Sequence, residues 1–157
     1  MRSPRSPLGA LACGVAAGLA GTAALTAAQT AVAVRRGSSL GEAVAPEPPE
    51  SWEDAPAPGQ VGERFLGALF GRNPSPDHAT AVTTVVHWVY GAGWGAAYGI
   101  VQGSLRAGTF AAGTAFSGLV LGSAYTVLPA MRIYDKPWEY SPATLAQDAG
   151  YHLVYGL

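Results

Sequence analysis

Residues 8–34 read LGALACGVAAGLAGTAALTAAQTAVAV, 27 positions without a charge. At about 1.5 Å rise per residue, a helix of this length exceeds a hydrocarbon core of about 30 Å. Arg2 and Arg5 precede the stretch, and Arg35 and Arg36 follow it. A secretory signal peptide shares the basic start and the alanines, but its apolar core is shorter, and the arginine pair reads as a stop. Alanine, glycine and threonine supply most of the stretch, which suits packing against other helices better than full exposure to lipid. Cys13, the only cysteine, excludes an internal disulfide and reads as a small buried apolar residue.

Two further stretches have the same character. Residues 79–101, ATAVTTVVHWVYGAGWGAAYGIV, carry no formal charge, and residues 107–128, AGTFAAGTAFSGLVLGSAYTVL, run up to Pro129, a helix terminator. The linker 102–106 is so short that these two form an antiparallel hairpin. Neither shows the polar face of a soluble surface helix. Charged residues make up 12% of the chain, about half the usual share of a soluble domain, and nearly all lie outside the three stretches. The fold class expected is all-α: a polytopic membrane helix bundle of three spans plus a short C-terminal helix, itself a candidate partial fourth. A net charge of −1 without a basic stripe excludes a nucleic-acid partner. The implied partners are the lipid bilayer, a second copy of the chain or another membrane protein.

The chain divides into five segments: residues 1–36, the first span with basic flanks; 37–60, an acidic proline-rich linker; 61–73, an interfacial amphipathic helix; 74–130, the transmembrane hairpin; and 131–157, an interfacial segment and short C-terminal helix. The linker holds Glu42, Glu47, Glu50, Glu53 and Asp54 among five prolines, a pattern expected to be extended or disordered. In VGERFLGALFG, residues 61–71, Val61, Phe65, Leu66, Leu69 and Phe70 form an apolar face suited to lying in a membrane interface. Tyr134, Trp138 and Tyr140 among Arg132, Asp135, Lys136 and Glu139 read as an aromatic belt. Ser141 and Pro142 read as the cap and first residue of the last helix. Arg35, Arg36, Arg64, Arg72, Arg132 and Lys136 fall on one side of this topology, and Arg2, Arg5 and Arg106 on the other. The positive-inside rule then places the N-terminus outside and the long loop in the cytoplasm.

An internal echo runs through the chain. His87-Trp-Val-Tyr90-Gly91 matches His152-Leu-Val-Tyr155-Gly156, and Gly21-Thr22-Ala23 upstream of the first copy matches Gly122-Ser123-Ala124 upstream of the second. Duplication of a two-helix unit and chance are the two readings; duplication makes the counterpart of the second span a fourth helix beginning near His152. His87 lies deep in an apolar span and needs a partner such as Tyr90, Thr83, Thr84, Thr114 or Ser117. His87, Tyr90, Asp148, His152 and Tyr155 are therefore the candidate polar or proton-linked site, Asp148 and His152 sharing a helix face at i,i+4 spacing. The candidate packing residues are glycines at intervals of four: Gly14 and Gly18; Gly91, Gly95, Gly99 and Gly103; Gly118 and Gly122. No cofactor and no metal site is expected: two histidines without thiolate or carboxylate partners make a poor ligand set.

No paired carboxylates, phosphate loop, nucleophile elbow or zinc-protease motif stands in the spans, so no catalytic residue and no enzyme is expected. The two live functions are a small structural or accessory membrane protein, oligomeric through its glycine faces, and a proton-responsive transporter or channel module using His87. The pattern His87, Tyr90, Gly91, then Leu128, Pro129, Pro137, Trp138, Glu139 and Tyr140, then His152, Tyr155 and Gly156, resembles small uncharacterised bacterial inner-membrane proteins, the YagU group among them. The resemblance covers the second half of the chain. It implies a four-helix or near-four-helix, multi-pass protein of the bacterial inner membrane, connected with acid tolerance, and names no substrate.

Overall fold

The computed structural model describes residues 6–102 and 108–157, and every regular element among them is helical. The chain runs through α1 (Pro7–Arg35), α2 (Leu40–Val44), α3 (Ala57–Phe70), α4 (Ala79–Gln102), α5 (Thr109–Ala130) and α6 (Pro142–Gly156). Short 3₁₀ turns stand at Trp52–Asp54, Pro76–His78 and Pro137–Glu139. Caps set several starts. The Ser6 hydroxyl accepts from Gly9 N–H at 3.1 Å, and Ser141 accepts from Thr144 N–H at 3.1 Å with Pro142 as first helical residue.

Each of the three apolar stretches is one helix. Pro129 lies inside the last turn of α5 instead of ending it at Leu128. A proline there forfeits one backbone bond, and the helix then closes through Arg132 in the left-handed region (φ 55°), with Ile133 N–H donating to the Leu128 carbonyl at 2.9 Å. Only α1 and α5, among the described residues, are both long and apolar enough to cross a membrane. The expected second span, α4, has the length, but its threonines, glycines, His87 and indoles dilute its hydropathy.

The packing departs from a simple hairpin. α1 lies against α4 and α6, α5 lies chiefly against α6, and α3 lies against α4. α4 and α5 run antiparallel, as their short connection requires, yet they meet through long side chains. Phe116 of α5 stands 6.1 Å from Trp94 and 4.6 Å from Tyr98, ring centre to ring centre. Leu25, Phe116, Val120 and Tyr155 form the buried centre, with Trp94, Tyr98 and Tyr151 packed around them. Arg36 donates to the Gln147 side chain and Arg64 to the Met131 carbonyl, which brings the C-terminal end of α1, α3 and the α5–α6 connection to one end of the bundle. Arg2, Arg5 and Arg106 lie outside the described residues.

The linker expected to be extended is folded. α2 carries a capping box in which Ser39 and Glu42 satisfy each other's backbone N–H, and those Ser39 hydrogen bonds hold the Glu42 carboxyl below the usual carboxylate range. Trp52 Nε1–H donates to the Pro74 carbonyl at 2.8 Å, and Gln60 donates to the Glu53 and Ala55 carbonyls at 3.0 and 2.9 Å. α3 begins at Ala57, ahead of the expected Val61, because Pro56 and Pro58 occupy the cap and first turn, where a missing N–H breaks no bond. It ends at Gly71, whose φ of 69° suits only glycine without strain. Gly59 and Gly62 seat it against Thr83, Val82 and Val86 of α4, leaving Phe65, Leu69 and Phe70 exposed.

The accessible surface is 10159 Å², well above the ~7,400 Å² that size scaling gives for a compact 16.0 kDa soluble chain. Large apolar side chains contribute to it: Leu19, Val89, Ile100, Leu119 and Val127 all face outward. Cys13, expected to be buried, is exposed too, because Gly14 and Gly18 take the inner face of α1.

Candidate functional site

The most intimate contact in the molecule is the seam between α1 and α4. Glycines 14 and 18 of α1 meet glycines 91, 95 and 99 of α4 backbone to backbone. A Cβ at Gly18 would strike the Gly91 carbonyl, and one at Gly95 would strike the Gly14 carbonyl and the Gly18 backbone. Gly103, the fourth step of the glycine ladder, lies outside the described residues. The antiparallel register continues to Thr22 opposite Gly91 and to Thr26 opposite His87. The Thr22 hydroxyl donates to the Gly18 carbonyl at 2.8 Å and the Thr26 hydroxyl to the Thr22 carbonyl at 2.8 Å. Back-bonding of this kind satisfies a hydroxyl inside an apolar helix pair.

His87 faces Thr26, its Nε2 lying 3.4 Å from Oγ1. The threonine hydroxyl already donates to the Thr22 carbonyl, so in this pair Thr26 Oγ1 accepts and the His87 Nε2–H donates. This partner is absent from the set considered from sequence, because the residues opposite His87 depend on the α1–α4 register. Tyr90, one turn on, points elsewhere: its hydroxyl meets Ser123 Oγ of α5 at 3.2 Å.

A second seam, between α5 and α6, repeats the first. A Cβ at Gly113 would strike the Gly156 carbonyl, as one at Gly18 would strike that of Gly91, and Gly156 faces Ser117 Oγ as Gly91 faces Thr22 Oγ1. Ser117 donates to the Gly113 carbonyl at 2.8 Å, the same bond that Thr22 makes to Gly18. The structure thus pairs Ala16-Ala17-Gly18-x-x-x-Thr22 with Ala111-Ala112-Gly113-x-x-x-Ser117. The echo expected at Gly122-Ser123-Ala124 is out of register. Gly118 and Gly122 meet nothing within 4 Å, so α5 packs on its Gly113 face instead. α6 begins at Pro142, ten residues before His152, which comes near its end.

The two seams are not identical. The position matching Thr26 is Leu121, which offers His152 no hydroxyl; its Nδ1–H turns to the Asp148 carbonyl at 2.8 Å. The expected Asp148–His152 side-chain pair does not form, because the Asp148 carboxylate accepts from the Tyr125 hydroxyl at 2.6 Å. Tyr125, Tyr134 and Tyr140 pack together with ring centres about 6 Å apart, closing the aromatic segment inward while Trp138 stays exposed. Burial pushes the Tyr134 phenol above its ordinary value, with Asp148 and Tyr140 adding to the shift. The largest break in symmetry is at Gly21, where the Tyr155 backbone of α6 comes against α1; the matching position in α5 is Phe116, whose ring holds α4 away. Tyr155 uses the space so created. It is buried, and its hydroxyl donates to the Gly91 carbonyl at 2.7 Å, tying α6 to the first seam.

The five candidate polar residues do not share one hydrogen-bond network, although His152 lies near enough to His87 to act on it electrostatically. His87 and Tyr155 share the first seam, Tyr90 bonds to α5, and Asp148 and His152 serve the second seam and the tyrosine cluster. Among the described residues, no three of His, Cys, Asp and Glu converge as metal ligands would. No family model matches the chain, and no curated protein or solved structure matches it.

Proposed function

We propose that this protein is a small structural or accessory integral membrane protein, multi-pass, of a bacterial inner membrane, built from α1, α4, α5 and α6. The observation that carries the reading is the bareness of its most apolar helices: only 22% of the most hydrophobic window of α1 and 28% of that of α5 is buried. The core helix of a soluble protein is covered by its neighbours; these helices need an apolar solvent. Glycine seams with interhelical hydroxyl bonds are the packing such a solvent favours, since lipid supplies no hydrophobic drive between helices. The outward Gly118–Gly122 face is free for a second copy, and the apolar face of α3 suits the interface. Membership of a YagU-like group belongs to the same proposal and would add acid tolerance as its setting.

Cys13 tests the membrane reading directly, because it is exposed on the outer face of α1. In intact membranes a water-soluble maleimide is expected to leave Cys13 unlabelled, since the reagent does not enter hydrocarbon; full labelling should follow denaturation in detergent. Rapid labelling in both states sinks the reading.

A proton-linked transport module is the second reading, favoured by the His87–Thr26 bond deep in the seam. The accessory reading expects His87→Ala and Thr26→Val each to cost about 1 kcal/mol of stability, as loss of one neutral hydrogen bond does, and the double variant to cost less than their sum. Thermal melts in detergent measure this. Intact melting with abolished proton-dependent flux in His87→Ala reverses the order of the two readings.

A further inference from the structure

An open groove of about 670 Å³ runs along the C-terminal half of α1. Ala23, Ala27 and Ala31 form its floor, Trp88 of α4 one wall, Leu40 and Val44 of α2 its end, and Arg35 its mouth. We propose that this groove holds one acyl chain of an anionic phospholipid whose phosphate sits on Arg35; the proposal rests on the membrane reading above.

Three observations select this occupant. The first is length: from Ala23 to Val34 the helix rises about 17 Å, close to the half-thickness of a hydrocarbon core of about 30 Å. The groove thus runs the depth of one leaflet, from mid-bilayer to headgroup level. The second is shape and polarity. Alanines leave a channel beside the indole, the lining is almost wholly apolar apart from Thr26 and Thr30, and the Thr26 hydroxyl is tied to the Thr22 carbonyl, so the wall suits a hydrocarbon chain better than a polar ligand. The third is charge. Arg35 stands at the end where a phosphate would lie, whereas its neighbour Arg36 is drawn to Gln147 of α6. The Glu42 carboxylate, the nearest acid in sequence on α2, is turned into the Ser39 cap. An arginine at headgroup level attracts anionic lipid, while the chain itself gains little over bulk bilayer, so selectivity should come from Arg35 and residence from the groove.

The test is native mass spectrometry of the full-length protein purified in detergent and titrated with phosphatidylglycerol or phosphatidylcholine of the same acyl chains. The wild type is expected to hold one phosphatidylglycerol, about fivefold more tightly than phosphatidylcholine. Ala27→Phe, which fills the floor, should lose the adduct. Arg35→Gln, an exposed change that leaves the helix intact, should keep a bound lipid and lose the preference. Equal retention of both lipids by the wild type, or an unchanged preference in Arg35→Gln, overturns the proposal even if Ala27→Phe fails to fold. Cys13 labelling on membranes from the same cells separates the failures. A shielded Cys13 with unselective lipid binding removes the groove site alone; a reactive Cys13 removes the membrane reading and the site with it.

Discussion

Gly95→Leu is expected to destroy the assembled bundle, whereas Gly93→Leu, two residues away on the same helix, should leave it intact. A side chain at 95 meets the Gly14 carbonyl and the Gly18 backbone, and backbone cannot turn aside as a rotamer can. α1 and α4 would have to separate along the whole seam, and Thr22, Thr26 and the Tyr155–Gly91 bond would lose their positions with it. Overpacking typically costs 1–3 kcal/mol, and a clash with two backbone segments belongs at or above about 3 kcal/mol. That is a large share of the ~5–15 kcal/mol that holds a typical domain together. Gly93 meets nothing within 4 Å, so leucine there only gains helix propensity, up to about 0.8 kcal/mol. Size-exclusion profiles and melting temperatures in detergent read both variants. A folded, monodisperse Gly95→Leu protein would mean that α1 and α4 do not touch through this face.

The contrast between those two glycines shows what the sequence could and could not convey. The long helices were legible because length and missing charge are properties of one segment: 8–34, 79–101 and 107–128 became α1, α4 and α5 with ends shifted by a residue or two. The α1–α4 glycines were legible for a related reason, since spacing by four on both helices marks one face of each. On α5 the same rule pointed to Gly118 and Gly122, which meet nothing within 4 Å inside the chain; the seam with α6 uses Gly113, which stands without a glycine four residues on and is followed in register by Ser117. The usable signal was the word Ala-Ala-Gly-x-x-x-Ser/Thr, which repeats at Ala16 and Ala111. Contacts between segments were not legible. His87 finds Thr26, and Asp148 finds Tyr125 in place of His152, because helix register decides who is opposite. The proline-rich loop misled for a different reason: prolines exclude helix interiors but suit first turns, and Pro56 and Pro58 begin α3.

Phe116→Ala should bring the other large loss, about 3 kcal/mol, at the lower end of the usual range for emptying an aromatic site of this size. The lower end applies because in lipid the ring gains nothing from leaving water; what is lost is contact. Those contacts are many: Phe116 is buried, and its ring lies 4.6 Å from Tyr98, 5.8 Å from Tyr155 and 6.1 Å from Trp94. It is also the residue that sets the α5–α6 seam apart from the α1–α4 seam, since Gly21 occupies the matching place in α1 and lets α6 come close. Alanine leaves α4 and α5 either spanning a void or closing on each other. Closure would move Tyr155 and break its bond to the Gly91 carbonyl, so Tyr155→Phe, worth about 1 kcal/mol alone, should cost less in the Phe116→Ala background. A void would instead leave the Tyr155 cost unchanged. Melting in detergent, read through tryptophan emission from the Trp94 side of the cluster, distinguishes the two. A Phe116→Ala protein that melts like wild type would mean that the aromatic centre fills space without holding α4 and α5 in place.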